Sequence, residues 1–231
     1  MTRTCAFRAV RSGWYAFRPE GPVKLELDRQ AVQGFVYLGQ GLHDLRLTRT
    51  ADGGAPQVFV DTAQGNAQPL ASDQLFAIAA PRQGFRGRYY AGPDWQGDPV
   101  FERIDPVLMF AWPEDEPLPG QFSARWDGRL TIERRGDYAF EAHCDDGCAL
   151  AIDGKTVAQG LGVGVNLIGA RQQLEAGTHD VTMTYFQSGG GKGLRLFWSP
   201  LGRPLEPIPA TLVTPAPIGP LRQSPTKPPP P

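Results

Sequence analysis

The sequence predicts an all-β protein built as an antiparallel β-sandwich, and three observations carry that reading. Its 28 glycines and 23 prolines are too many for a helical protein. Apolar residues alternate with polar ones along many short stretches, the period-two mark of half-buried strands. Turn signals separate those stretches at Asp127-Gly128, Asp153-Gly154, Ala176-Gly177 and Ser188-Gly189-Gly190-Gly191. Such spacing suits a sandwich of roughly ten strands.

The chain repeats itself, which changes every later inference. Gly13-Trp14-Tyr15-Ala16-Phe17 recurs as Gly136-Asp137-Tyr138-Ala139-Phe140, and Leu25-Glu26-Leu27-Asp28 as Leu150-Ala151-Ile152-Asp153. Gly41-Leu42-His43-Asp44-Leu45 then matches Gly177-Thr178-His179-Asp180-Val181, and Pro69-Leu70 matches Pro204-Leu205. Four collinear matches predict that residues 1–82 are a partial, degenerate copy of a complete domain at 83–213. The first copy carries Pro19-Glu20-Gly21-Pro22 where the second has Cys144-Asp145-Asp146-Gly147-Cys148. Counterparts of Gly84 to about Asp127 are missing before Met1, so the chain reads as a piece of a longer protein, or the partial copy packs on its neighbour. His43 and His179, each just after a glycine turn, read as structural residues at a strand start.

Within the second copy, Tyr138-Ala139-Phe140-Glu141-Ala142-His143, Val181-Thr182-Met183-Thr184-Tyr185 and Leu194-Arg195-Leu196-Phe197-Trp198 alternate in the manner of strands. A second sheet is needed to cover them. Trp126 and Trp198 fall on the inward positions and read as core. From Pro200 onward proline fills 12 of 32 positions, so residues 214–231 read as an extended linker or tail.

Composition bounds the partners. With 41% apolar and 20% charged residues the chain can bury a core, and a net charge of −1 lacks the cationic excess that phosphate neutralisation needs. Nucleic acid is excluded as an expected partner. No run of about 18 apolar residues exists to span a bilayer. The opening stretch, broken by Arg3, Arg8 and Arg11, shows no secretory signal. Cys144 and Cys148 flank a tight turn and are either bridged, given an oxidising compartment, or two reduced thiols; Cys5 is left over. A bridge needs Cα atoms within about 7 Å.

Residues 84–213 resemble the protective-antigen N-terminal family, the PA-fourteen β-sandwich. The likeness opens on Gly84-Phe85-Arg86-Gly87-Arg88-Tyr89-Tyr90 and continues through Gly97-Asp98-Pro99, Asp105-Pro106 and Phe122-Ser123-Ala124-Arg125-Trp126-Asp127-Gly128. Gly136-Asp137-Tyr138 follows, then Asp145-Asp146-Gly147, Leu150-Ala151-Ile152-Asp153-Gly154 and finally Gly189-Gly190-Gly191 through Trp198. Each piece is weak alone, and their order and spacing make the combination specific.

The resemblance implies a site. In the family's sugar-binding adhesins the peptide between two such aspartates is cis and the pair grips calcium. Adjacent carboxylates on an extended chain otherwise point to opposite faces. Calcium takes six to eight oxygen ligands and also coordinates sugar hydroxyls, so Asp145 and Asp146 are the expected metal ligands and need further donors. Those would come from the facing loop, with Gln187, Ser188 and Lys192 the candidate ligand contacts; the adhesins place an asparagine there and this chain does not. The alternative is that the two aspartates only stitch the turn. Trp95, beside Gly92-Pro93-Asp94, is the candidate exposed aromatic platform. His143, Cys144 and Cys148 carry atoms that bind zinc, at no recognised zinc spacing.

No nucleophile elbow, phosphate loop or separable acid and base pair can be read, so the expectation is a protein that is not an enzyme. The expected function is a non-catalytic carbohydrate-binding module, calcium-assisted, of a surface or extracytoplasmic protein located at the cell surface, outside the cell or in the periplasm. Its partner would be a glycan or glycoconjugate. The alternative is a structural or protein-interaction domain appended to a carbohydrate-active enzyme or a membrane glycosyltransferase, with that enzymatic domain as neighbour.

Overall fold

The computed structural model describes residues 2–32, 34–50, 57–62, 67–70, 75–76, 82–112, 117–217 and 223–224. These are almost entirely antiparallel strands, and they form two units, residues 1–80 with 219–231 and residues 81–218.

The first unit contains β1 (Thr2–Ala9), β2 (Gly13–Glu20), β3 (Val23–Leu27), β4 (Gln30–Ala31), β5 (Phe35–Leu38), β6 (Gly41–Arg49), β7 (Gln57–Thr62), β8 (Gln68–Pro69) and β9 (Leu75–Phe76). The second contains β10 (Phe85–Ala91), β11 (Phe101–Asp105), β12 (Met109–Ala111), β13 (Phe122–Ile132), β14 (Gly136–Asp145), β15 (Cys148–Ile152) and β16 (Lys155–Gly160). It continues with β17 (Val165–Leu174), β18 (Gly177–Gln187), β19 (Gly193–Pro200), β20 (Glu206–Pro207) and β21 (Val213–Pro215), while β22 (Gln223–Ser224) returns to the first unit.

Each unit is a pair of sheets. In the first they run β4-β3-β6-β1-β9 and β22-β5-β2-β7-β8. In the second they run β11-β10-β13-β18-β15-β16, with β21 on β13, and β12-β19-β14-β17, with β20 on β19. The order β4-β3-β6-β1 thus has the same form as β16-β15-β18-β13, and β5-β2-β7-β8 the same form as β17-β14-β19-β20. Local bonding coincides as well. His43 Nδ1 lies 2.8 Å from Asp28 Oδ2 and its Nε2 2.7 Å from Gly39 O, while the Asp44 amide donates to Asp28 Oδ1 at 2.8 Å. His179 repeats this with Asp153 Oδ2 at 2.7 Å and Glu175 O at 3.0 Å, and the Asp180 amide donates to Asp153 Oδ1 at 2.9 Å. Tyr15 and Tyr138 each donate a 2.7 Å hydrogen bond to the carbonyl four residues earlier, of Arg11 and Arg134. Both histidines are therefore turn braces.

Alternation decides which face is buried. On β13 the sequence Phe122, Ala124, Trp126, Gly128, Leu130, Ile132 points into the sandwich, and on β18 Val181, Met183, Tyr185 and Gln187 do the same. Trp126 is fully buried and Trp198 is 4% exposed, as the inward pattern requires. The Trp126 indole donates to Asp105 Oδ2 at 2.8 Å. That carboxylate also receives the Tyr89 hydroxyl at 2.7 Å, and its other oxygen receives Arg103 Nε at 2.7 Å. A buried charge is tolerated only with such partners. Burial, opposed by Arg103, pushes the Tyr89 hydroxyl well above its ordinary pKa. The first unit packs Phe7, Tyr15, Phe17, Leu25, Leu27, Val36, Leu38 and Leu45 into its own core.

The reading of residues 214–231 as a linker or tail meets two differences. Strand β13 is longer than β10, and β21 fills the open stretch, pairing Leu130 with Val213 and Arg129 with Thr214. Strand β5 offers an edge that Gln223 and Ser224 cover, opposite Val36 and Phe35. Unpaired edge groups favour such additions, and a proline sits there because an edge residue can spare its N–H. Residues 218–222 and 225–231 lie outside the described residues. Among the described residues, no helix is long and apolar enough to cross a membrane.

Candidate functional site

Topology assembles the site at one end of the second unit. Strand β14 ends at Asp145 in one sheet and β15 begins at Cys148 in the other, so residues 146–147 cross between sheets. The β16 to β17 connection, 161–164, crosses back beside it, since Cys148 pairs with Gly160 and Asp145 with Val165. The β18 to β19 connection, 188–192, makes a third crossing at the same end, because Gly193 also pairs with Asp145. The segment 92–100 joins them, for Ala91 pairs with Phe122 and Phe122 with Gln187.

Cys144 and Cys148 are joined by a disulfide with Cα atoms 6.2 Å apart, and both are buried. This settles the two alternatives left open by the sequence and removes the thiolates that a zinc site would need. His143 instead lies 2.7 Å from Glu141 Oε1. Cys5 is free.

Inside the bridge the Asp145–Asp146 peptide is cis. The two side chains play different parts. Asp146 is fully buried. Its Oδ1 accepts the Gly164 amide at 2.6 Å, and its Oδ2 accepts the amides of Ser188 at 2.6 Å and Gly189 at 3.3 Å. One carboxylate thus fastens both flanking loops. Asp145 is half-buried and its carboxylate has no hydrogen-bond partner among the described residues. Gly191 lies against it so closely that a Cβ there would overlap Asp145 Oδ2. Gly147 is equally required: its Cβ would come within 2.6 Å of Phe186 Cζ.

Of the other predicted residues, Gln187 is fully buried, with Oε1 2.6 Å from the Tyr185 hydroxyl and Nε2 without a partner among the described residues. Ser188 contributes its amide to Asp146, and its carbonyl accepts from Gln121 Nε2 at 3.0 Å. Lys192 is half-buried and its carbonyl accepts the Trp112 amide at 3.2 Å. Trp95 differs from an open platform. It is half-buried, its indole donates to Ala124 O at 3.1 Å, and its ring meets Phe186 edge-on at 6.2 Å. The reason is local: Trp95 takes a left-handed φ of 57°, and its amide donates to Ser123 Oγ at 2.9 Å, folding the ring back onto the sheet.

Three features escaped the sequence reading. Asn166 donates through Nδ2 to Gly162 O and Gly164 O, both at 2.8 Å, and to Asp146 O at 3.3 Å. An asparagine therefore braces the site from the loop opposite to the expected one. Tyr185, seen in the sequence only as part of an alternating strand, places its hydroxyl 2.5 Å from Asp145 O. Finally, Leu161, Val163, Val165 and Leu167 are exposed by 57%, 75%, 83% and 67% beside the aspartates. The Gly-aliphatic alternation of residues 160–165 was the available signal for a tight, apolar-walled turn.

A hard cation here would find one carboxylate, that of Asp145, without a hydrogen-bond partner among the described residues, beside a buried Asp146 whose oxygens already accept backbone amides. No group of three or more His, Cys, Asp or Glu is assembled among the described residues, so amide and carbonyl oxygens would have to complete the shell.

Residues 81–211 match the PA14 domain family. The chain belongs to that family. This PA14 protein is 32% identical over 146 residues, 61% of its length, to the anti-sigma-I factor RsgI3 of Acetivibrio thermocellus, and it spans 22% of that relative. Its fold is similar to that of an anti-sigma factor domain-containing protein from Clostridium clariflavum, at 22% identity and a TM-score of 0.52, over 93% of this chain and 84% of that one. It is also similar in fold to a PA14 sugar-binding domain from an RTX adhesin, at 20% identity and a TM-score of 0.51, over 59% of this chain and all of that one.

Proposed function

We propose that residues 83–213 form a non-catalytic carbohydrate-binding module whose ligand site is the cis Asp145–Asp146 turn, and that residues 1–82 are a partial, degenerate copy of the same fold. The observation that carries the site is the division of labour between the two carboxylates: Asp146 ties down both loops, while the Asp145 carboxylate has no hydrogen-bond partner among the described residues. Asp145 and Asp146 would hold calcium, with Gln187 and loop carbonyls as neighbours; when bound, the ion offers coordination positions to vicinal sugar hydroxyls. Exposed Leu161, Val163, Val165 and Leu167 would supply a wall for the C–H face of a sugar, with Ser188 and Lys192 of the β18 to β19 connection as further contacts. The first unit lacks the paired aspartates, so the chain offers one such site. A buried disulfide suits an oxidising setting, outside the cell, at its surface or in the periplasm.

The match to an anti-sigma-I factor favours a second reading, in which the chain is the ligand-receiving or interaction part of a longer regulatory protein rather than an appendage of a carbohydrate-active enzyme. A glycan array in calcium and in chelator tests the first reading. Hits that vanish in chelator and in Asp145→Asn support it; an empty array in calcium sinks it and leaves the interaction role.

A further inference from the structure

We infer that the free edge of β17 is a docking strand for an extended peptide of a partner protein. The peptide adds in antiparallel pairing, with an acidic residue opposite Arg171 and apolar residues opposite Leu167 and Val165. The inference goes beyond the calcium and sugar reading and does not depend on it.

The first unit contains such an addition. Strand β5 pairs with β2 so that Leu38, Val36 and Phe35 lie opposite Gly13, Tyr15 and Ala16. In the same register β17 sets Leu174, Gln172 and Arg171 opposite Gly136, Tyr138 and Ala139 of β14. On its other edge β5 receives Gln223 and Ser224, opposite Val36 and Phe35. The counterparts of those two residues on β17 are Gln172 and Arg171, and there the sheet ends: among the described residues β17 pairs with β14 alone. A row of unpaired N–H and C=O groups is a template for another strand.

Edge strands are ordinarily blunted by shortness, charge, proline or a bulge. The other outer strands of the second unit obey this: β12 has three residues, β20 has two and includes Pro207, and β11 carries Glu102, Arg103 and Asp105. Strand β16 begins at Lys155 and meets β15 through a register shift. Strand β17 has none of these except one cation. It runs ten residues with neither proline nor acid, and its outward face presents Val165 and Leu167, 83% and 67% exposed, followed by Gly169 and Arg171. Arg171 is exposed and its side chain has no partner among the described residues, which selects an acid opposite it. A second β17 brings no acid, so a copy of this chain is the poorer match. Gly169 leaves its outer side open, since a Cβ there would meet only Phe140 O, at 3.4 Å, and a ring of the incoming strand can cover it.

The probe is a fluorescein-labelled peptide amide, Thr-Glu-Thr-Tyr-Thr-Val-Thr-Val-Thr, which sets glutamate, tyrosine and two valines opposite Arg171, Gly169, Leu167 and Val165. Anisotropy with the full chain in chelator, where calcium plays no part, is expected to give saturable binding with a Kd below about 1 mM. Arg171→Glu is expected to weaken it roughly 3- to 10-fold, and a probe with lysine in place of glutamate to recover the loss on that variant. Strand pairing engages alternate amides of the peptide, so N-methylation of one alternate set should abolish binding and that of the other should spare it. This pair of probes needs only the wild-type chain and carries the test if a variant melts abnormally. No binding to wild type, no recovery by the charge swap, or equal binding of the two N-methylated probes overturns the inference. So does self-association of the free chain, or its cosedimentation with phosphatidylcholine vesicles, if Val165→Lys with Leu167→Lys abolishes it, because the strand then serves a second copy or a lipid surface.

Discussion

Asp146→Ala separates the two aspartates by stability before any ligand is added. The buried Asp146 carboxylate receives two short amide bonds, from Gly164 and Ser188 at 2.6 Å each, and a longer one from Gly189. A hydrogen bond to a charged group contributes about 1.5–3 kcal/mol net. Both short donors are half-exposed and regain some water on truncation, so the lower end applies and the loss is roughly 3 kcal/mol. Asp145→Ala removes a carboxylate with no such bonds and should cost under about 1 kcal/mol, as surface changes usually do. Urea unfolding in chelator, followed by tryptophan fluorescence, reads the second unit, which holds four of the five tryptophans, Trp95, Trp112, Trp126 and Trp198. Equal losses for the two substitutions would refute the division of labour. The result also decides which variant is a clean binding control: Asp145→Asn, because Asp146→Ala unfastens the loops.

Reducing the Cys144–Cys148 bridge, which closes a loop of sequence separation 4, should lower stability by about 2 kcal/mol on chain-entropy grounds; unchanged urea midpoints with and without reductant would contradict this. Gly87→Ala brings a Cβ within 2.9 Å of Trp126 Nε1 in a fully buried cluster, and an overpacking loss of roughly 1–3 kcal/mol is expected from the same unfolding curves. His179 faces acceptors at both ring nitrogens, and its bond to Asp153 raises its pKa despite partial burial. Because the folded value lies above the unfolded value of about 6.5, the contribution is full below that pH and fades as pH rises through the folded value. His179→Gln should therefore flatten the melting temperature between about pH 6 and 8, and an unchanged pH profile would count against the brace.

Many strands were legible because period-two alternation survives in them: Tyr138, Phe140 and Ala142 of β14 face inward as their spacing requires. The histidine braces were legible because the same Gly-x-His-Asp pattern occurs at Gly41–Asp44 and at Gly177–Asp180. Trp95 was misjudged because its exposure depends on a left-handed φ and a serine 28 residues away, neither visible locally. Asn166 and Tyr185 escaped for a related reason. Their roles arise where three sheet-to-sheet crossings meet, and pairing register, not composition, brings them together. The proline count spoke for a linker at the end of the chain, and open strand edges recruited Val213–Pro215 and Gln223–Ser224 regardless.

Thermal melting of the full chain in calcium against chelator, for wild type and Asp145→Asn, addresses the proposed site most directly. A ligand present at 100 times its dissociation constant stabilises the folded state by about 2.7 kcal/mol, which for a domain of this size raises the melting temperature by roughly 5–10 °C. The account predicts that rise in wild type and its absence in Asp145→Asn. No shift in wild type, or the same shift in both proteins, would contradict it.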